Sequence, residues 1–226
     1  MKKILIFLVA ITILGLAFYY MYEMYQFAKG VQADTPKFVE SLIENQIQSG
    51  DIIFQTSKSE QSKAIQLATK SKYSHMGIIY RNNDGLYVYE AIEPVKRTPI
   101  KEWINRGENG EFVVKRLKNA EEVLTKETLA KMKQVGNKFI GKHYDLYFEW
   151  SDDRIYCSEL VWKIYKEGAN VEIGELQKMS DFDISSKLVK EKMKERYGDN
   201  IPMNEKVISP AQMFKSDELS TVLMGN

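Results

Sequence analysis

The sequence predicts an α+β domain, a small antiparallel sheet packed by helices. Three observations carry this expectation. Two apolar runs, 74–80 and 86–92, flank Arg81-Asn82-Asn83-Asp84-Gly85, whose Asn, Asp and Gly tolerate the positive φ angles of a tight hairpin. Further short strand patterns lie at Gly50-Asp51-Ile52-Ile53-Phe54, where a turn leads into a strand, and at 112–117. Between and after them run segments with apolar residues at helical spacing.

The helical segments follow in chain order. Residues 34–48 open on Thr35-Pro36 and place Phe38, Val39, Leu42, Ile43 and Ile47 on one stripe. Residues 59–70 form an amphipathic helix with Ala64, Ile65, Leu67 and Ala68 inward. A short helix surrounds Trp103. Residues 125–140 are helical until Gly141, and 157–166 carry Leu160, Val161, Ile164 and Tyr165 at helical spacing until Gly168. The remainder is polar, with one helix near 185–197 and a helix start at Ser209-Pro210. Alternating charges such as those of 187–196 read as a solvated helix face.

Before all this stands Met1-Lys2-Lys3 and an uncharged apolar run over 4–21, long enough to cross a bilayer core. Aromatic residues cluster at its far end, and the lysines precede it. This orientation predicts an amino terminus in the cytoplasm and a domain held outside a bacterial membrane. The expected organisation is an anchor over 1–33 and one domain over 34–226. The alternative is a signal segment cleaved after Val31-Gln32-Ala33, which would make the domain secreted.

Composition excludes several classes. With 32 basic and 31 acidic residues and a net charge of +1, the chain has no electrostatic footprint for nucleic acid. One cysteine, Cys157, and two histidines, His75 and His143, preclude an internal disulfide and do not form the usual structural metal site. No metal or organic cofactor is expected.

A lone thiol is often only a small buried apolar group. Cys157, however, stands where the loop Asp152-Asp153-Arg154-Ile155-Tyr156 meets a helix, so free N–H groups and the positive dipole end face its sulfur and favour a thiolate. His75 lies in a strand whose alternation places it with Gly77 and Ile79, and Gly77 leaves room beside the imidazole for another backbone or a substrate. Glu90 shares a strand face with Val88 and Ile92, where a carboxylate needs a nearby donor. A hairpin register that pairs odd with even residues puts His75 and Glu90 on one face, within side-chain reach. Glu93 is the alternative carboxylate. The bland readings are a core cysteine, a satisfied histidine and a surface glutamate.

Taken in order, Gly50-Asp51-Ile52-Ile53-Phe54, Ser74-His75-Met76-Gly77-Ile78, Tyr89-Glu90-Ala91, Tyr144-Asp145-Leu146-Tyr147-Phe148 and Tyr156-Cys157-Ser158-Glu159-Leu160-Val161 resemble the permuted NlpC-type papain-like cysteine hydrolases, the YiiX-like branch, related to lecithin retinol acyltransferases. The resemblance covers about 50–168. It implies a circular permutation, with the histidine strand before the cysteine helix, and a catalytic triad of Cys157 as nucleophile, His75 as base and acid, and Glu90 as its orienter. Tyr144 and Asp145 match the family's tyrosine–aspartate pair. Tyr144, Gly77 and Tyr156 are the expected substrate contacts, and Asp145 the loop anchor. The chain departs from the pattern at His143, where related sequences often carry proline, and it is read as an exposed loop residue.

The resemblance implies amide or peptide hydrolysis through a thioester, with cell-wall peptides as the expected partner. The alternatives are a lipid acyltransferase or lipid amidase acting on a lipid amide or acyl group, and a non-catalytic ligand-binding module.

Overall fold

The computed structural model describes residues 19–25 and 45–225. The chain divides into two compact units, Met1–Asn45 and Gln46–Asn226. In the first, 19–25 are helical with exposed tyrosines and methionines. The expected span over 4–21 and the helix over 34–48 lie outside the described residues except at 19–21 and 45–48. Among the described residues no helix is long and apolar enough to cross a membrane.

The second unit is built on one antiparallel sheet. Its strands are β1 (Ile52–Gln55), β2 (His75–Asn82), β3 (Gly85–Glu90), β4 (Lys96–Pro99), β5 (Phe112–Leu117) and β6 (Leu219–Gly225), in the order β6-β5-β1-β2-β3-β4. β2 and β3 form the expected hairpin. Asn82 pairs with Gly85 across a two-residue turn, and Gly85 takes φ 127°, which its missing side chain permits. Gln48 N–H donates to Asp51 Oδ2 (2.8 Å) at the entry to β1. The same buried carboxylate is held bidentately by Arg116 of β5, at 2.7 and 2.8 Å.

The helices are α1 (Glu60–Thr69), α2 (Ile100–Arg106), α3 (Ala120–Val123), α4 (Lys126–Asn137), α5 (Cys157–Ala169), α6 (Lys187–Tyr197) and α7 (Pro210–Phe214). Ser59, Thr125, Ser186 and Ser209 cap α1, α4, α6 and α7 by accepting a backbone N–H two or three residues inside each helix. Alternation along the strands sends Ile52, Phe54, Met76, Ile78 and Tyr89 into one core with Leu160, Val161 and Ile164 of α5 and Met132 and Val135 of α4. The opposite face, with Ile53, Ile79 and Val88, is equally buried.

Three details differ from the sequence reading. Leu67 of α1 is exposed, because the inward stripe runs through Ser62, Ala64, Ile65 and Ala68. Gly168 does not end α5. The helix closes on left-handed Asn170, and a Cβ on Gly168 would lie 2.6 Å from Met132 Cα, so this glycine lets α4 and α5 approach closely. β4 and β6 were not expected. Both are edge strands, β4 short and polar and β6 largely open to solvent, whose pairing depends on a neighbour rather than on a clear apolar alternation.

Candidate active site

Three elements bring the expected residues together. Tyr156 occupies the N-cap of α5 without a side-chain hydrogen bond, so Cys157 opens the helix where backbone N–H groups have no intrahelical partner. His75 is the first residue of β2, and Glu90 the last of β3. Ile79 faces Val88, and continuing that register sets Glu90 across from Gly77 with His75 as its diagonal neighbour. His75 Nε2 lies 2.7 Å from Glu90 Oε2. The imidazole also hydrogen-bonds the Cys157 thiol. Cys157 is 2% exposed, His75 8% and Glu90 0%.

The electrostatics follow from this packing. Burial alone would push His75 down. The hydrogen bonds to Cys157 and Glu90, with the negative charge of each, outweigh it and hold the ring at about 9 against its ordinary 6.5. Burial would likewise raise Glu90, but the hydrogen bond and charge of His75, then hydrogen bonds from Arg106 and Thr98, bring it to about 2. At neutral pH the site therefore holds an imidazolium against a carboxylate. Thr98 Oγ1 donates to Glu90 Oε1 at 2.5 Å, and Arg106 Nη2 donates to the same oxygen. Trp103 lies nearly parallel to the His75 ring, 24° and 5.8 Å between centroids.

The sulfur borders a cavity of about 90 Å³ with almost wholly apolar walls. Ala64, Ile65 and Ala68 of α1, Val189 and Met193 of α6, and Phe148 of the loop before α5 form much of it. Lys192 and Arg196 are its charged members, so this part of α6 closes a cavity as well as facing solvent. Ser158 Oγ donates to Ile208 O (2.8 Å), which ties the chain's last third to the start of α5.

The remaining expected residues divide. Tyr144 lines the cavity, and its hydroxyl accepts from Gln61 Nε2 at 3.2 Å. Burial, followed by the charge of Cys157, pushes its phenol well above the ordinary value, so it stays protonated. Tyr156 forms a wall and accepts from Ile208 N–H at 3.2 Å. Gly77 does not line the cavity. A Cβ there would stand 2.4 Å from Val88 Cγ1 and 2.5 Å from Tyr89 O, so the space it leaves is filled by β3 and not by a substrate. Asp145 Oδ1 accepts from Tyr147 N–H (2.8 Å), as a loop anchor does. Glu93 pairs with His143 Nδ1 (2.6 Å), and this histidine's side chain is 72% exposed. Sequence reading missed Gln61, Thr98, Trp103 and Arg106, because each reaches the site from an element outside the hairpin whose placement depends on packing. Among the described residues no three His, Cys, Asp or Glu side chains are grouped to hold a metal ion.

Residues 46–223 match the family model described as permuted papain-like amidase enzyme, YaeF/YiiX, C92 family. The chain belongs to this family. Membership implies a papain-like cysteine amidase or peptidase. The chain is 51% identical to the uncharacterized protein YiiX of Escherichia coli K12 over 177 residues, 78% of this chain and 86% of the relative. It also matches the crystal structure of a protein described as metalloprotein yiiX from Escherichia coli O157:H7. That match has a TM-score of 0.76 at 50% identity and covers 80% of this chain and 98% of the other.

Proposed function

We propose that the chain is a cysteine amidase in which Cys157 attacks the carbonyl of an amide whose acyl side is apolar. The observation that carries this is His75 engaged on both sides, by Glu90 at Nε2 and by the Cys157 thiol, at the wall of an apolar cavity. The thiolate adds to the carbonyl carbon, and in this reading the Cys157 N–H and the Tyr144 hydroxyl donate to the resulting oxyanion. His75 gives its proton to the departing amine, the C–N bond breaks and a thioester remains. Neutral His75 then takes a proton from water, whose oxygen displaces the sulfur. Glu90 acts through His75, holding one tautomer and one orientation.

The cavity favours an aliphatic acyl group over a cell-wall stem peptide, whose amides and carboxylates would lose their hydrogen bonds against such walls. The apolar run over 4–21 behind Lys2 and Lys3 supports a domain tethered outside the cytoplasm. The Escherichia coli O157:H7 relative is described as a metalloprotein. The described residues of this chain offer no matching donor group, and no step is assigned to a metal.

Because Cys157 is the chain's one cysteine, alkylation by iodoacetamide reads the site directly. Labelling at pH 7 is expected to be fast and to fall about tenfold or more in His75→Ala. Equal rates in both proteins would remove the enzymatic reading. With acyl p-nitroanilides, kcat/KM should rise about fourfold for each carbon added until the cavity is full, from about 0.8 kcal/mol per buried CH₂. A flat series would return the choice to peptide substrates.

A further inference from the structure

Helix α2 sits over the His75–Glu90 pair and supplies two groups that the triad does not include. Glu90 is fully buried, and its two oxygens are divided. Oε2 faces His75, while Oε1 receives Thr98 and Arg106. A buried carboxylate with only a neutral hydroxyl and a titratable ring beside it tends to take up a proton. Arg106 opposes this by setting a guanidinium directly against Oε1.

Lys96 stands directly opposite Glu90 on β4, and its ammonium is turned toward Glu102 at 3.7 Å. Among the described residues, hydrogen bonding and strand pairing thus bring His75 of β2, Lys96 of β4 and Arg106 of α2 to Glu90. Arg106 makes its ion pair with Glu90 although its own side chain is 36% exposed, and its Nε is buried without a hydrogen bond. Three residues earlier on α2, Trp103 covers the face of the imidazole.

We infer that Arg106 is a positioning residue that keeps Glu90 ionised and aimed at His75, with Trp103 excluding water from above. This rests on the amidase reading for its consequence in catalysis, but the geometry stands apart from it. Without Arg106, Glu90 would protonate at a higher pH, and His75 would lose its acceptor on the acid side of the profile. The helix thus widens the pH range over which the base is correctly held.

The test is the histidine NMR spectrum, which contains only His75 and His143. The Nε2–H resonance of His75, shifted by its bond to Glu90, is followed from pH 8 downward in wild type, Arg106→Gln, Arg106→Met and Arg106→Lys. In the neutral variants the signal should be lost about 1 to 3 pH units higher than in wild type, and lysine should restore at least half of the difference. Two neutral variants guard against one failing to fold. Coincident acid midpoints in wild type and either folded neutral variant would overturn the inference, however far the melting temperature fell. A shift that lysine leaves uncorrected would overturn it too, because packing and not charge would then be responsible. If iodoacetamide labelling proves slow and indifferent to His75→Ala, the amidase reading fails alone. The resonance still reports what Arg106 does to Glu90.

Discussion

Replacing Glu90 with glutamine keeps the shape of the side chain and a hydrogen-bond acceptor but removes the charge beside His75. In the wild-type site the imidazole titrates at about 9 instead of 6.5, despite burial that opposes its charge. At about 1.36 kcal/mol per pH unit, that difference is worth about 3 kcal/mol in favour of the imidazolium. The ring's folded value is raised, so this stabilisation is fully present below about pH 6.5 and is lost as pH rises through about 9. An opposite charge in direct contact contributes about 1 to 3 pH units. The Glu90→Gln titration should therefore have its midpoint between about pH 6 and 8. The assay is a proton NMR titration of the His75 ring, assigned by comparison with His143→Ala, and the alkaline limb of any amidase activity should move down with it. A midpoint that stays near 9 in Glu90→Gln would refute the electrostatic account and leave the Cys157 sulfur as the group that sets the ring's charge.

Other predictions follow from packing. Gly77→Ala places a methyl group 2.4 Å from Val88 Cγ1 and 2.5 Å from Tyr89 O, and should cost about 1 to 3 kcal/mol in urea unfolding while disturbing the His75 strand. Arg116→Ala strands the buried carboxylate of Asp51 and should cost about 3 to 5 kcal/mol, also read by urea unfolding; a loss under 1 kcal/mol would show that water replaces the guanidinium. Ala64→Leu fills part of the cavity wall and should weaken turnover of long-chain amides while leaving iodoacetamide labelling of Cys157 within about twofold. Equal loss of both would mean the substitution disturbs α5 and not the acyl site.

Much of this arrangement was legible in the residues. The hairpin over 74–92 could be read because Asn83-Asp84-Gly85 is a turn sequence between two apolar runs, although only Gly85 takes a positive φ, and its odd-to-even register follows from the turn's length. That register is why His75 and Glu90 could be paired in advance. Cys157 at a helix start could be read from the change from a charged loop to apolar residues at helical spacing. The capping serines and threonines Ser59, Thr125, Ser186 and Ser209 mark helix starts by the same local logic. Less was visible around Gly77, where the absence of a side chain signals a close approach without saying what approaches.

Local order along the chain thus determined the hairpin, the strands β1 and β5, several helix starts and the three residue types of the proposed triad. The pairing of His75 with Glu90 depends on one hairpin and each helix start on one turn, whereas the meeting of Cys157 with His75 is a contact between a helix and a strand far apart along the chain. Only the tertiary structure decided what surrounds them. Arg106 reaches Glu90 from a separate helix beyond the hairpin, Gln61 meets Tyr144 across 83 residues, and α1 and α6, far apart along the chain, close one cavity. Such contacts are set by how the whole sheet and its helices pack, and no short stretch of sequence contains both partners.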